Sequence, residues 1–127
     1  MVSKRRLKRI TDRIQEELSL IILREVMDPR LEGATITDVR VDPEVAFADI
    51  YVTSLEGPEQ KEDIMEGFRH AKGFLRTELA QRISHLRSFP VLRFHWDELP
   101  QKVERINQII AELEEEEASQ EDDDDQG

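Results

Sequence analysis

The sequence predicts a small α+β domain, a three-stranded sheet with helices packed on one face. Three observations point to it. Apolar residues recur at steps of three and four in the first 26 residues, again in the middle of the chain, and again after Leu99, as in helices with one buried stripe. Three intervening runs (Ala34–Val41, residues 45–55 and Val91–Trp96) are rich in β-branched and aromatic residues, the composition of strands. The first two runs are separated only by Asp42-Pro43-Glu44, a link short enough for an antiparallel hairpin. At 127 residues with no internal repeat, the chain has room for one ordinary domain, in which the helical stripes cover one face of the sheet.

Taken in order, Ser3 is the expected N-cap of a long first helix. Its stripe is Leu7, Ile10, Ile14, Leu18, Ile21, Ile22 and Val26. Asp28-Pro29-Arg30 ends it, and because proline disfavours helical geometry at the preceding residue, the stop is expected near Met27 or Asp28. Leu31-Glu32-Gly33 is a turn into the first strand. In the second strand Ala48, Ile50 and Val52 share one face, and Phe47, Tyr51 and Thr53 the other. Gly57-Pro58 breaks that strand. Residues 84–88 form a loop, with Leu86 a candidate to pack back on the body. Pro90 opens the third strand, where Leu92, Phe94 and Trp96 share a face. Asp97 and Pro100 frame the last helix, whose stripe is Leu99, Val103, Ile106, Ile110 and Leu113.

The most informative stretch lies between the second and third strands. Ile64, Phe68, Ala71, Leu75 and Leu79 mark an amphipathic helical face, and Gly73 interrupts it. Glycine inside a helix costs about 1 kcal/mol relative to alanine. The expectation is therefore two short helices joined by a kink at Ala71-Lys72-Gly73. Two reasons for Gly73 fit the pattern: a kink or close packing contact, or a bare backbone that a phosphate must approach. Arg69, Lys72 and Arg76 fall beside the apolar face at spacings of three and four.

The formal net charge is −11, but its distribution matters more than its sum. Residues 112–127 hold ten acidic side chains and no basic one, and the rest of the chain carries 18 basic against 19 acidic. Residues 1–13 hold six basic and one acidic residue, residues 69–93 again six and one, and residues 31–60 seven acidic and one basic. Segregated charge at near-zero net is compatible with one basic face. Cations crowding the start of the first helix oppose its dipole; they are either a solvated end or a phosphate-facing patch. The acidic run is expected to be disordered.

Several classes are disfavoured. There is no cysteine and no apolar run of ~18 residues, so neither a disulfide framework nor a membrane span is expected. The basic start lacks an apolar segment behind it, so a structural helix in a cytoplasmic protein is expected rather than a targeting sequence. His70, His85 and His95 form no metal-ligand spacing. Asp97-Glu98 suit a helix start better than paired acid–base work. No enzyme, metal, cofactor or small-molecule substrate is expected.

The order helix, strand, strand, helix, kink, helix, strand, helix resembles a type II KH domain. The basic first helix ending in Asp28-Pro29-Arg30, Ile36-Thr37-Asp38-Val39-Arg40-Val41 with Ala48-Asp49-Ile50-Tyr51-Val52, Ala71-Lys72-Gly73-Phe74-Leu75-Arg76, Pro90-Val91-Leu92-Arg93-Phe94 with Asp97, and Arg105-Ile106 together resemble the ribosome-binding factor A family over residues 3–113. In that family an Ala-x-Gly kink replaces the KH glycine loop, and Ala71-Lys72-Gly73 matches it. The resemblance implies an assembly factor that binds the small (30S) ribosomal subunit and its 16S rRNA during late maturation and rRNA processing, with a role in cold adaptation. The cations expected to face RNA are Lys4, Arg5, Arg6, Lys8, Arg9, Arg69, Lys72, Arg76, Arg82, Arg87 and Arg93. A KH-like domain over residues 3–113 and an acidic tail over 114–127, in a monomer, complete the expectation. The tail is either a solubiliser or a competitor for RNA. The alternative function is a protein-binding adaptor using the sheet face, anchored by Phe47 and Tyr51, or the first helix.

Overall fold

The computed structural model describes residues 2–84 and 86–126. Its elements are α1 (Lys4–Arg24), a single 3₁₀ turn (Pro29–Leu31), β1 (Ala34–Val41), β2 (Phe47–Ser54), a second 3₁₀ turn (Pro58–Gln60), α2 (Lys61–Arg82), β3 (Val91–Trp96) and α3 (Leu99–Gln126). The α+β class and the three strands are as the sequence predicts. β2 is the central strand: β1 pairs with it antiparallel and β3 parallel. A parallel neighbour needs a long crossover, and α2 supplies it.

Ala48, Ile50 and Val52 of β2, Val39 and Val41 of β1 and Leu92 of β3 turn one face of the sheet toward the helices. Ile10, Ile14, Leu18 and Ile21 of α1 and Ile64, Phe68, Leu75 and Leu79 of α2 meet them. Phe68 stacks on Phe94 at 4.6 Å between ring centroids, and Leu86 packs back on this core. Each such side chain contributes roughly 1.5–3 kcal/mol of transfer free energy. That outweighs the few tenths that each first-turn cation of α1 costs.

Ser3 caps α1 by accepting from the Arg6 amide at 3.2 Å. The helix stops at Arg24, earlier than Met27 or Asp28, with the amides of Glu25 and Val26 both directed at the Ile21 carbonyl. The chain has to be extended at Asp28, ahead of Pro29. The Asp28 carboxylate then accepts from the Arg30 amide at 3.0 Å and holds the Arg30 guanidinium at 2.7 Å. This turn drives Leu31 into the core, 4% exposed, against α2 at Gly67.

Two further expectations need correction. α2 runs unbroken from Lys61 to Arg82, so no kink divides two helices at Ala71-Lys72-Gly73. Gly73 has no positive φ, and the helix formers around it carry the helix through. Val45 belongs to the β1–β2 turn, at φ 55°, rather than to β2. A β-branched residue there is strained by about 1–3 kcal/mol. Asp42 imposes the turn: its carboxylate accepts from the amides of Glu44, Ala46 and Phe47 at 3.2, 2.9 and 2.7 Å. The chain divides into two compact units, Met1–Asp97 and Glu98–Gly127. α3 is helical past Leu113, through a Glu-rich stretch of good helix formers. Its stripe of Leu99, Val103, Ile106, Ile110 and Leu113 keeps between 46% and 62% exposure.

A Cβ on Gly67 would lie 2.9 Å from Leu31 Cδ2 and 3.2 Å from Arg30 Cβ. Gly67→Val is therefore expected to destabilise the protein by ~1–3 kcal/mol through overpacking, measured as a lowered midpoint in urea unfolding at unchanged slope.

Candidate nucleic-acid interface

The fold sorts the eleven predicted cations by what holds them. Arg82 is committed internally: its guanidinium bridges Glu17 at 3.2 Å, Glu25 and, more distantly, Glu78, tying α2 to α1. Its hydrogen bonds to the carboxylates of Glu17 and Glu25 hold its pKa above the ordinary value. Arg93 is committed too, with a two-pronged contact to Asp49 at 2.8 and 2.9 Å and its guanidinium over the Phe47 ring at 4.2 Å. Lys8 pairs with Asp12 and Arg69 with Glu66, both on the exposed surface, where a pair is worth little. Among the described residues Lys4, Arg5, Arg6, Arg9, Lys72, Arg76 and Arg87 make no ion pair. Arg76 donates to the Phe89 carbonyl at 3.1 Å.

Two of the basic segments meet. Arg6 of α1 and Arg87 of the α2–β3 loop line one cleft of about 880 Å³ with Ser3, Ile10, Glu44, Val45, Leu86 and Ser88. The strained Val45 forms part of its wall and packs on the core. Lys72 and Arg76 stand on successive turns of α2, with Gly73 exposed beside them. A Cβ built on Gly73 would meet nothing within 4 Å. Neither a kink nor a packing contact therefore explains that glycine.

The outer sheet face carries a different chemistry. Phe47, Asp49 and Tyr51 of β2 lie beside Arg93 and His95 of β3 and Arg40 of β1. Arg40 sits over Tyr51 at 4.9 Å, and His95 stacks on Tyr51 at 5.1 Å and bonds Asp49 at 2.7 Å. The Arg93 hydrogen bonds, and behind them His95, hold the Asp49 carboxyl below its usual range. The two aromatic anchors suggested for an adaptor are thus each covered by a guanidinium.

Of the remaining expectations, Asp97 binds back to the sheet, its amide donating to the Val52 carbonyl at 2.8 Å and its carboxylate accepting from the Thr37 hydroxyl at 2.6 Å. Thr37 is the bulged residue of β1. His70 sits on exposed α2 near Glu66, and His85 lies outside the described residues. Among the described residues no cluster of three metal-ligating side chains occurs and no helix is long and apolar enough to cross a membrane. Sequence reasoning missed Gly67; its place one residue before Phe68 on the buried face was the available signal.

These features define a small KH-like α+β domain with a basic helical flank and an ion-paired outer sheet. The family model for ribosome-binding factor A matches residues 6–110. Ribosome-binding factor A of Chromohalobacter salexigens is 40% identical over 110 residues, 85% of this chain and 83% of the relative. That of Nitrosomonas europaea is 41% identical over 104 residues, 82% and 88% of the two chains. The chain belongs to the ribosome-binding factor A family. Among solved structures, a Thermotoga maritima protein matches with a TM-score of 0.62 at 32% identity, covering 75% of this chain and 90% of its own. Ribosome-binding factor A of Thermus thermophilus matches with a TM-score of 0.63 at 23% identity, covering 71% and 93%. A homology model of that factor fitted into a map of a 30S complex also matches, with a TM-score of 0.56 at 24% identity over 69% and 91% of the chains.

Two outcomes are expected here. Gly73→Ala raises stability by about 0.5–1 kcal/mol, read as a higher urea midpoint. Asp49, whose pKa is lowered by folding, adds stability that is present above about pH 4 and is lost as pH falls through its folded value. The difference in Tm between wild type and Asp49→Asn therefore shrinks as pH is lowered below about 4.

Proposed function

We propose that this protein is an assembly factor that binds the small ribosomal subunit through its 16S rRNA during late maturation and rRNA processing, as a monomer in the cytoplasm and with a part in cold adaptation. It works without a cofactor, and its part is binding rather than catalysis. Family membership supports the ribosomal partner, and the Thermus factor is described in a complex with the 30S subunit. The observation that carries the reading is Gly73. A glycine in mid-helix with no internal reason, beside the unpaired Lys72 and Arg76, is what a close-passing phosphate backbone requires. Lys4, Arg5, Arg6, Arg9 and Arg87 extend the basic surface, whereas Arg82 and Arg93 serve the fold.

The test is co-sedimentation with purified small subunits across a salt series. Binding through several phosphates weakens steeply with salt. Lys72→Glu with Arg76→Glu is expected to lower the log–log slope by about 1.5, for two lost contacts, with unfolding little changed. Binding that ignores salt would instead favour the protein adaptor, and no binding at low salt would reject the proposal.

A further inference from the structure

We infer that Phe74, with Met27 beside it, is a platform for one unstacked RNA base, reached by a strand that crosses α2 over Gly73. The inference rests on the RNA-binding reading above and adds where a base is held.

Phe74 and Met27 border a shallow cleft of about 470 Å³ between α2 and the end of α1, floored by Val26 and Pro29. Met27 is 94% exposed and Phe74 45%. Two carboxylates reach this cleft, Glu25 and Asp28. Arg82 holds the first and Arg30 the second, so neither presents an unpaired charge to a phosphodiester chain. The aromatic rings of the sheet face are covered by arginines. Among the described residues Phe74 has no ring or cation stacked on it.

Helix geometry then connects the platform to the cations. At about 100° per residue, Arg69, Lys72 and Arg76 lie within about 60° of one another, Gly73 about 100° from Lys72, and Phe74 about 200°. Gly73 is thus the crossing point between the basic stripe and the ring. Nothing rises from it, and Thr77, one turn further on, folds its hydroxyl down onto the Gly73 carbonyl at 3.0 Å. With its side chains the helix is about 10–12 Å across, so the strand crosses it over more than one nucleotide. Phe74 lies across the exposed face from Lys72, so a strand whose phosphate is held by Lys72 and Arg76 crosses the helix at Gly73 before a later nucleotide lays its base on Phe74, and a side chain at position 73 would stand in the way. Stacking on an aromatic tolerates any base, which suits a platform without hydrogen-bonding groups.

The experiment uses the full chain carrying Phe74→Trp and Trp96→Phe, so that one indole reports from the platform. The probes are a single-stranded oligoribonucleotide and an abasic oligomer of equal length and charge. Quenching by the first and not by the second is expected. Phe74→Ala, whose fold is checked by its melting curve, is expected to weaken binding of the normal oligomer about tenfold and leave the abasic one unchanged. Salt-dependent RNA binding with no quenching and no effect of Phe74→Ala overturns the platform and leaves the proposed function standing. Loss of subunit binding in Phe74→Ala without quenching by RNA also overturns it, assigning the ring to a protein contact. No salt-dependent RNA binding by the wild type removes the proposed function, and the platform with it.

Discussion

The seating of Leu31 on Gly67 is the contact on which the arrangement depends. Asp28 binds the amide and the guanidinium of Arg30, the turn closes, and Leu31 is carried into the core where α2 has no side chain. The end of α1 is thereby fixed against the first half of α2, and Arg82 fixes their second crossing through Glu17 and Glu25. With both ends held, α2 cannot rotate without burying a cation or exposing Phe68 and Leu75. Which residues of α2 face solvent is decided by that clamp, several residues away from Gly73 itself.

The same packing divides the basic residues into two populations that look alike in the sequence. Arg82 and Arg93 have carboxylates within reach because α1 and β2 bring Glu17, Glu25 and Asp49 to them. Arg5, Arg6, Arg9 and Arg87 have none among the described residues. A guanidinium with two or three carboxylate contacts is poorly placed to exchange them for phosphate, since the carboxylates left behind would repel the incoming chain. An exposed cation without such contacts gives up only hydration. The basic surface is therefore narrower than the count of Lys and Arg suggests, and Arg6 and Arg87 line one cleft where α1 and the α2–β3 loop meet.

What was legible in the sequence is what depends on periodicity. The stripes at Ile10, Ile14, Leu18 and Ile21 and at Ile64, Phe68, Leu75 and Leu79 are buried as predicted, and β1 and β3 have their predicted bounds. What failed depends on contacts between distant residues or on competing local rules. Gly73 weakens a helix by about 1 kcal/mol, too little to break one whose flanking turns are both anchored in the core. Val45 has strand propensity, but three amides converging on Asp42 outweigh it. The roles of Arg82 and Arg93 rest on partners 44 to 65 residues away, which no local pattern records. Gly67 and Gly73 both interrupt the same helix, yet only Gly67 has a neighbour in its way.

Departures from local rules tend to gather at functional sites, because elsewhere selection for stability removes them. The useful distinction is whether the molecule itself recovers what a departure costs. Val45 is strained, but its side chain packs on the core and its turn joins β1 to β2; the strain has an internal return and needs no ligand to explain it. Gly67 weakens α2, and Leu31 fills the space it leaves. Gly73 weakens the same helix by a similar amount and nothing within 4 Å of its absent Cβ makes use of it. The cations of the first turn of α1 oppose the helix dipole with no acidic residue in that turn to offset them. These two have no internal return, and both lie on solvent-facing surface rich in unpaired positive charge. A partner with a phosphate backbone would supply what the fold does not, which is why we propose the interface here rather than on the ion-paired sheet.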